Sequence, residues 1–189
     1  MFISEFFRIA KKHRGLLVNR RFIKEKYMIT AIAAVSGNWG IGKDGDLLFH
    51  IPEDMKFFRM TTLNHNVIMG RKTLESFPNG KPLKNRTNIV LSQNPDFAPE
   101  DVVVCRSVEE AVDYMNQHDD EDFICGGGEI YKAFLPYCSK ALITKVEATP
   151  EADTFFPNLD EDENWLLTEQ SEVFEHEGTK FRFCTYIRK

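Results

Sequence analysis

Cysteine is scarce in this sequence, and none of the four cysteines has a close partner. They stand at Cys105, Cys125, Cys138 and Cys184, without a Cys-x-x-Cys pair and without an accompanying His-x-x-x-His. This spacing argues against a zinc site and against a thioredoxin-like redox motif. We therefore predict reduced thiols, a cytoplasmic location and no bound metal.

Long hydrophobic runs, internal repeats and low-complexity segments are also missing. No apolar run approaches the roughly 18 residues that a membrane-spanning helix needs, so we expect no membrane span. At 189 residues, with 42% hydrophobic and 28% charged residues, the chain has an ordinary globular composition. A chain of this length buries roughly 70% of its surface in one domain and requires no disulfide staple.

The net charge of −5 conceals an asymmetry between the ends of the chain. Residues 1–27 carry eight lysines and arginines against two glutamates, whereas residues 28–189 are strongly acidic. We therefore divide the chain into a basic N-terminal extension, 1–27, and a single domain, 28–189.

Three interpretations of the extension stay open. It is a frayed tail read from an upstream start codon, a membrane-surface or nucleic-acid-binding arm, or an organelle-type presequence. Its apolar residues cluster at the start, but no continuous apolar segment leads to a small-residue cleavage site, which argues against a secretory signal.

Short apolar runs bounded by glycine, serine or charged residues predict buried strands. These runs cover residues 29–35, 66–70, 88–92, 102–104, 123–125 and 141–146. Residues 165–174 and 180–187 alternate in polarity, which predicts an antiparallel hairpin turning near Glu177-Gly178. Ser107 with Glu110 forms a capping box that opens a helix of roughly ten residues.

A glycine-rich stretch, 37–42, follows the first predicted strand. Its order is Gly-x-x-Gly-x-Gly, the reverse of the dinucleotide fingerprint, and no helix follows at once, so we reject a Rossmann site. Because three glycines and few apolar anchors make ordering costly, residues 37–48 are predicted to form a mobile lid.

An acidic residue stands among apolar side chains just after the lid. Pro52 marks a helix start, and Asp54 shares a helix face with Phe58. An acid in a first turn often does no more than complement the helix dipole, and Glu53 already supplies a surface acid. A carboxylate in an apolar cleft has a raised pKa, which is typical of a proton-handling or cation-binding group.

Two strand-to-helix junctions are candidate phosphate sites. Arg71-Lys72-Thr73 follows one strand, and Gly126-Gly127-Gly128 follows another, where backbone N–H groups suit a pyrophosphate. The alternatives are a solvated basic turn and a tight structural turn. Glu129 is a difficulty at the second junction, because an acid repels phosphate unless it points away.

Six stretches in register over residues 28–189 resemble the dihydrofolate reductase family. They are 28–34 with the glycine stretch, Ile51-Pro52-Glu53-Asp54, 67–73, 86–92, 126–131 and 152–157. The resemblance implies an α/β, single-domain dihydrofolate-reductase-like fold. Its central sheet is twisted and mostly parallel, with an antiparallel C-terminal hairpin and flanking helices.

The resemblance also implies the reaction, hydride transfer from NADPH to 7,8-dihydrofolate, which supplies tetrahydrofolate for thymidylate, purine and methionine synthesis. Asp54 matches the catalytic carboxylate that hydrogen-bonds the pterin and favours protonation of its ring nitrogen. The matching substrate-binding positions are Ile32, Met55, Phe58 and Phe77 along the pterin and its arm, Arg86 for the glutamate α-carboxylate, and Thr144 supporting the acid.

For the cofactor, the resemblance assigns the 2′-phosphate site to Arg71 and Ser92, the pyrophosphate site to Thr73 and the glycine run, and the nicotinamide to Ala34 and Ile41. The full set of predicted cofactor-binding residues is Ala34, Ile41, Gly42, Arg71, Lys72, Thr73, Leu91, Ser92, Gln93, Cys125, Gly126, Gly127, Gly128, Glu129, Ile130 and Tyr131. A cis peptide is expected at Gly126-Gly127, and Asp153 matches an acid that bonds the closed lid.

Two departures from the family pattern bear on function. Leu48-Phe49 stands where the family commonly has Pro-Trp, and phenylalanine has no N–H to hold a water. Glu129, an acid beside the expected phosphate site, bears on the cofactor preference.

Two rival functions remain. One is a pyrimidine reductase of riboflavin synthesis, which shares the architecture but requires no acid at Asp54. The other is a nonenzymatic folate- or nucleotide-binding module. Under the main interpretation the partners are dihydrofolate and antifolate inhibitors, the chain is a monomer, and no nucleic acid is required.

Overall fold

The computed structural model describes residues 29–117 and 121–189. The predicted N-terminal extension, 1–27, lies outside the described residues, as does Met28. The boundary placed between residues 27 and 28 therefore stays a prediction.

The described residues form twelve strands and four α-helices. The strands are β1 (Ile29–Val35), β2 (Gly40–Lys43), β3 (Asp46–Leu47), β4 (Asn66–Gly70), β5 (Thr87–Leu91), β6 (Val103–Cys105), β7 (Asp122–Gly126), β8 (Cys138–Val146), β9 (Thr154–Phe155), β10 (Trp165–Gln170), β11 (Phe174–His176) and β12 (Thr179–Arg188). The helices are α1 (Pro52–Thr62), α2 (Arg71–Ser76), α3 (Val108–Asn116) and α4 (Gly128–Phe134). Short 3-10 turns cover Pro78–Gly80 and Leu135–Tyr137.

Nine strands form one sheet in the order β10-β12-β8-β1-β7-β4-β5-β6, with β11 paired to β12. The five neighbouring pairs from β8 to β6 are parallel, and β12 runs antiparallel to β8, β10 and β11. The β11–β12 hairpin turns at Glu177 and Gly178, both with positive φ. The predicted fold class, including the antiparallel C-terminal hairpin, is confirmed.

A second, three-stranded sheet, β3-β2-β9, was not predicted from the sequence. It consists largely of residues 37–48, the segment predicted to be a lid. The prediction that this segment has few apolar anchors is wrong for its first half. Trp39 is 6% exposed and its ring stacks on Phe156 with centroids 6.0 Å apart, and Ile41 is 9% exposed. Within residues 37–48 the exposed positions are Gly37 and Asn38 at the start and the tip, residues 44–47.

Two apolar clusters cover the two faces of the large sheet, because successive side chains of a strand point to opposite faces. In β4, Ile68 belongs to the cluster under α3 and α4, whereas Val67 and Met69 belong to the cluster under α1 and α2. The capping box holds in altered form: Glu110 N donates to Ser107 Oγ at 3.1 Å, and Arg106 N donates to Glu110 Oε2 at 2.6 Å.

The parallel strands end at one edge of the sheet, and helices or loops begin there. Such an edge is where open α/β sheets bind ligands. The first residues beyond it include Arg71, Ser92 and Gly127, which the sequence analysis had assigned to the cofactor.

Candidate active site

Asp54 lies in the first turn of α1, and its carboxylate points toward the sheet. Thr144 in β8 donates a hydrogen bond to it, and burial raises the pKa of Asp54 while that hydrogen bond opposes the rise. Burial dominates because removing a carboxylate from water disfavours its charged form. An ordinary first-turn acid would extend into solvent, so this geometry favours the functional interpretation.

The partner of Asp54 is firmly placed. Thr144 is 1% exposed and lies opposite Ala34 of β1 and Phe183 of β12 in the sheet. Because this hydroxyl lies on a central strand, its position relative to Asp54 is set by the sheet. The structure thus places Thr144 close enough to Asp54 to oppose the rise in its pKa.

An apolar wall stands beside Asp54. Ile32 is 4% exposed and belongs to the cluster under α1, and Phe58 and Phe77 are half-buried against the same cluster. Met55 is 53% exposed and lies outside this cluster. The structure thus brings together three of the four predicted wall residues and places Met55 at the surface.

Arg86 has its guanidinium fixed in orientation. Nε donates to Thr62 Oγ1 at 2.9 Å, Nη1 to the Lys84 carbonyl at 2.8 Å, and Nη2 to the Arg59 carbonyl at 2.9 Å. Among the described residues these contacts use three of its five N–H groups, which leaves one on each terminal nitrogen. Burial lowers the pKa of Arg86, and the nearby charge of Arg59 lowers it further.

The Arg86 guanidinium lines a cavity of about 390 Å³. The other lining residues are Arg59, Met60, Leu63, Lys84 and Asn85. The lining thus combines three cationic side chains with two apolar ones, Met60 and Leu63. Such a cavity suits a ligand that carries an anionic group on an apolar arm.

The two predicted phosphate junctions meet in space, because β4 and β7 are neighbours. A Cβ added at Gly127 would lie 3.4 Å from Thr73 Oγ1, and one at Gly70 would lie 3.1 Å from Ile130 Cγ1. The peptide between Gly126 and Gly127 is cis, as the family resemblance implies. The N-termini of α2 and α4 therefore open on the same place.

Glu129 does not oppose this site. Its side chain is 89% exposed and pairs with Lys132, one turn along α4, with Nζ and Oε1 3.0 Å apart. It points into solvent, which removes the difficulty raised by the sequence.

The remaining α4 residues connect the junction to the core. Tyr131 is 4% exposed and its hydroxyl donates to the Ile32 carbonyl at 2.7 Å. Burial raises the pKa of both Tyr131 and the half-buried Cys125. Tyr131 thus ties the start of α4 to the strand that carries the apolar wall.

Further predicted cofactor-binding residues, among them the 2′-phosphate pair Arg71 and Ser92, also lie at this edge. Leu91 is half-buried at the end of β5, Ser92 is 7% exposed, and Gln93 is exposed. Arg71 Nη1 lies 2.7 and 2.8 Å from the two oxygens of Glu75, and Lys72 is exposed. Glu75 orients Arg71 and was not singled out from the sequence.

The lid tip is held by the loop that precedes β9. Asp44 N donates to Asp153 Oδ2 at 2.7 Å, and the Lys43 ammonium lies 2.6 Å from Glu151 Oε2. The hydrogen bond from Asp44 N is the main cause that lowers the pKa of Asp153. Gly42 is buried in β2, opposite Thr154 of β9. The expected contact between Asp153 and the lid is present.

Three residues with contacts at the site were not predicted from the sequence: Thr62, Arg106 and Trp39. Thr62 is 24 residues from Arg86, and no local pattern links the two. Arg106 could have been noticed through the capping box beside it. Trp39 could have been noticed as a large aromatic residue inside a glycine-rich loop, where it adopts a positive φ of 64°.

Within the described ranges, no group of three or more His, Cys, Asp or Glu side chains is arranged to hold a metal ion. No helix in that part of the chain has the length and apolar character needed to cross a membrane.

Comparison with known proteins identifies relatives over nearly the whole described length. A family model described as dihydrofolate reductase matches residues 28–188. A dihydrofolate reductase of Haemophilus influenzae is 43% identical over 160 residues, covering 84% of this chain and 97% of the relative. One from Bacillus subtilis is 38% identical over 164 residues, covering 86% and 95%.

A solved structure shows the same fold. Dihydrofolate reductase from Enterococcus faecalis, complexed with NADP(H) and RAB-propyl, superposes with a TM-score of 0.79 at 36% identity, covering 86% of this chain and 96% of that one. With the acid, the glycine turn and the lid in their expected places, this chain belongs to the dihydrofolate reductase family.

Proposed function

We propose that this chain reduces 7,8-dihydrofolate to 5,6,7,8-tetrahydrofolate with NADPH as the hydride donor, thereby supplying one-carbon metabolism. The observation that carries the proposal is the Asp54 carboxylate, withdrawn from solvent, bonded by Thr144 and set beside an apolar wall. The family match over residues 28–188 supports the same reaction.

Asp54 is assigned the catalytic role. One carboxylate oxygen is held by Thr144, and the other is directed at the 2-amino and N3 edge of the pterin. A negative charge there stabilises a pterin protonated at the ring nitrogen beside the hydride-accepting carbon, because charges interact strongly where water is excluded. One hydride and one proton together reduce the C=N bond, so the balance requires both.

The apolar wall orients the substrate. Ile32, Phe58 and Phe77 are proposed to contact the flat pterin and its aminobenzoyl arm, and Met55, exposed in this structure, is proposed to cover the arm from outside. Apolar side chains contact the two faces of the pterin, so only its polar edge is left for hydrogen bonding. A single carboxylate, Asp54, can therefore select the orientation of the ring.

Arg86 is proposed to bind the α-carboxylate of the substrate's glutamate. Its two remaining N–H groups, one on each terminal nitrogen, suit the two oxygens of a carboxylate. Thr62 and the carbonyls of Arg59 and Lys84 fix the guanidinium before the substrate arrives, so little side-chain freedom is lost on binding.

The residues at the sheet edge fit NADPH. At Gly128 an added Cβ would lie 3.0 Å from the Phe155 carbonyl, and Gly126 has a φ of +108°, so glycine is required for a close backbone approach. When bound, NADPH supplies the hydride. The pyrophosphate is assigned to Thr73 and the glycine run, where backbone N–H groups bind and orient it.

The other cofactor contacts follow the strand ends. Arg71, Lys72, Leu91, Ser92 and Gln93 are proposed to bind the adenosine and its 2′-phosphate. Ala34, Ile41, Gly42 and Cys125 are proposed to enclose the nicotinamide, with Ile130 and Tyr131 supporting the turn and Glu129 facing outward. A ring held between β1 and β2 is shielded from water on the side of the lid.

A monomer located in the cytoplasm is proposed, together with inhibition by antifolates that present a diaminopyrimidine edge to Asp54. Such a ring offers the same paired donors as the pterin, and protonation adds a charge that the carboxylate attracts.

A direct assay tests the proposed function. Purified protein is expected to consume NADPH when dihydrofolate is added, and a diaminopyrimidine antifolate is expected to block the reaction. Binding of both ligands without turnover would favour a nonenzymatic module. Turnover of a ribosylaminopyrimidine in place of dihydrofolate would favour the riboflavin pathway.

A further inference from the structure

Three strand ends stand side by side at the carboxyl edge of the sheet. Leu91, the last residue of β5, pairs with Gly70 at the end of β4 and with Cys105 at the end of β6. The next residue of each chain segment is Arg71, Ser92 or Arg106. Because neighbouring strands lie about 4.8 Å apart, these residues begin in one row, and only the first two belong to the proposed cofactor site.

The guanidinium of Arg106 donates hydrogen bonds to the loop that follows β5. Its Nη1 donates to the carbonyls of Ser92 at 2.9 Å and Asn94 at 2.6 Å. Its Nη2 donates to the carbonyl of Phe97 at 3.2 Å and, at a longer 3.5 Å, to that of Pro95. All four N–H groups of the two terminal nitrogens thus point at backbone carbonyls of residues 92–97.

The loop has other contacts as well: Phe97 is half-buried against the apolar cluster under α1 and α2, and Phe97 N donates to the Asn94 carbonyl at 3.1 Å. Its internal hydrogen bonds include Asn94 N to Ser92 Oγ at 3.3 Å and Asp96 N to Asn94 Oδ1 at 3.1 Å, both within exposed or half-exposed backbone. Ser92 N donates to the Cys105 carbonyl at 3.0 Å, which extends the sheet by one residue. Between Ser92 and the packed Phe97, the Arg106 guanidinium supplies the hydrogen bonds that join the loop carbonyls to the residue following β6.

Arg106 is itself anchored at its backbone. Arg106 N donates to Glu110 Oε2 at 2.6 Å, and Glu110 N donates to Ser107 Oγ. The start of α3 therefore fixes the Cα of Arg106, and a planar guanidinium reaching from it sets the position of the loop carbonyls.

We infer that Arg106 is a positioning residue for the cofactor's 2′-phosphate: by holding residues 92–97 it places Ser92 and Gln93, and so contributes to the preference for NADPH over NADH. The inference rests on the proposed use of NADPH at this site. Its effect is expected to be largest for ligands that carry the 2′-phosphate, because Ser92 is assigned to that group, whereas the pyrophosphate and nicotinamide are assigned to other elements.

The test compares Arg106→Gln with the wild-type protein. The dissociation constant of adenosine 2′,5′-bisphosphate is expected to rise about tenfold, the size of one charge-assisted hydrogen bond lost, while that of adenosine 5′-monophosphate changes less than about twofold. In steady-state kinetics the KM for NADPH is expected to rise by a similar factor, with kcat and the KM values for NADH and dihydrofolate nearly unchanged.

A second variant separates position from charge. Arg106→Lys keeps the positive charge, but one ammonium cannot span four carbonyls, so most of the loss in 2′,5′-bisphosphate affinity is expected to persist. Arg182→Gln is the matched control, since Arg182 pairs with Glu147 at 2.6 Å on the antiparallel side of the sheet, and its nucleotide affinities are expected to stay at the wild-type level.

Three outcomes would overturn the inference: equal losses for both nucleotides, full recovery in Arg106→Lys, or unchanged affinities in Arg106→Gln. Failure of the proposed function is recognised separately, because in that case the wild-type protein itself does not oxidise NADPH with dihydrofolate.

Discussion

Replacing Asp54 by asparagine tests the catalytic assignment most directly. The amide is nearly isosteric and keeps an oxygen that accepts the Thr144 hydrogen bond, so the fold is expected to survive. What is lost is the negative charge beside the apolar wall. Loss of a group that acts in general acid–base or electrostatic catalysis costs about 10²–10⁴-fold, and we expect turnover at neutral pH to fall within that range.

The variant's pH dependence follows from the same charge. At low pH the substrate arrives already protonated and needs less help, so Asp54→Asn is expected to recover part of its rate there. NADPH affinity is expected to stay at the wild-type level, because the cofactor is assigned to other residues. Antifolate binding is expected to weaken by about 1.5–3 kcal/mol, as for a lost charged hydrogen bond.

The stability of this variant should move in the opposite direction to its activity. Burial raises the pKa of Asp54, so the folded state binds its proton more tightly than the unfolded chain. The stabilisation from the protonated carboxyl is present below the unfolded pKa and is lost as pH rises through the folded pKa. At neutral pH an uncharged amide avoids the cost of burying the charge.

Three measurements test the predicted turnover, NADPH affinity and stability of Asp54→Asn. Stopped-flow or steady-state NADPH oxidation over a range of pH gives the rates, a fluorescence titration gives the NADPH affinity, and urea unfolding of both proteins gives the stabilities. Wild-type turnover in Asp54→Asn at neutral pH would refute the reasoning, and so would a variant less stable than wild type at neutral pH.

Three further substitutions test the surrounding contacts. Thr144→Val removes the hydrogen bond that lowers the pKa of Asp54, so the acid limb of the kcat/KM profile for dihydrofolate is expected to move to higher pH; an unmoved limb would contradict the role of the hydroxyl. Arg86→Lys removes a fork that suits a carboxylate, and the KM for dihydrofolate is expected to rise about tenfold or more with little change in kcat, whereas an equal fall in both kinetic parameters would point to another role. Asp153→Ala removes the acceptor of Asp44 N, so limited proteolysis within residues 37–48 is expected to accelerate at neutral pH. In the wild type the same contact should weaken as pH falls through the depressed pKa of Asp153, and a cleavage rate unaffected by the substitution would show that the lid does not depend on it.

Local patterns accounted for most of the architecture. Apolar runs located the large sheet's main strands to within a few residues, the Ser107 and Glu110 pair located the start of α3, and Gly178 located the turn of the last hairpin. These features depend on neighbours in the chain, so they can be read from it. The small sheet β3-β2-β9 was not predicted because two of its strands have two residues and the third has four, which is too short for a recognisable pattern.

The sequence by itself determined which groups the site contains: one acid at a helix start, two cationic or glycine-rich turns, and an arginine before a strand. Only the tertiary structure decided how they are oriented. It turned Glu129 toward Lys132 and solvent, joined Arg86 to Thr62 across 24 residues, and set Arg106 against the loop after β5. The physical reason is that side-chain direction depends on strand register and on partners distant in the chain, which bring groups together at distances that no local pattern encodes.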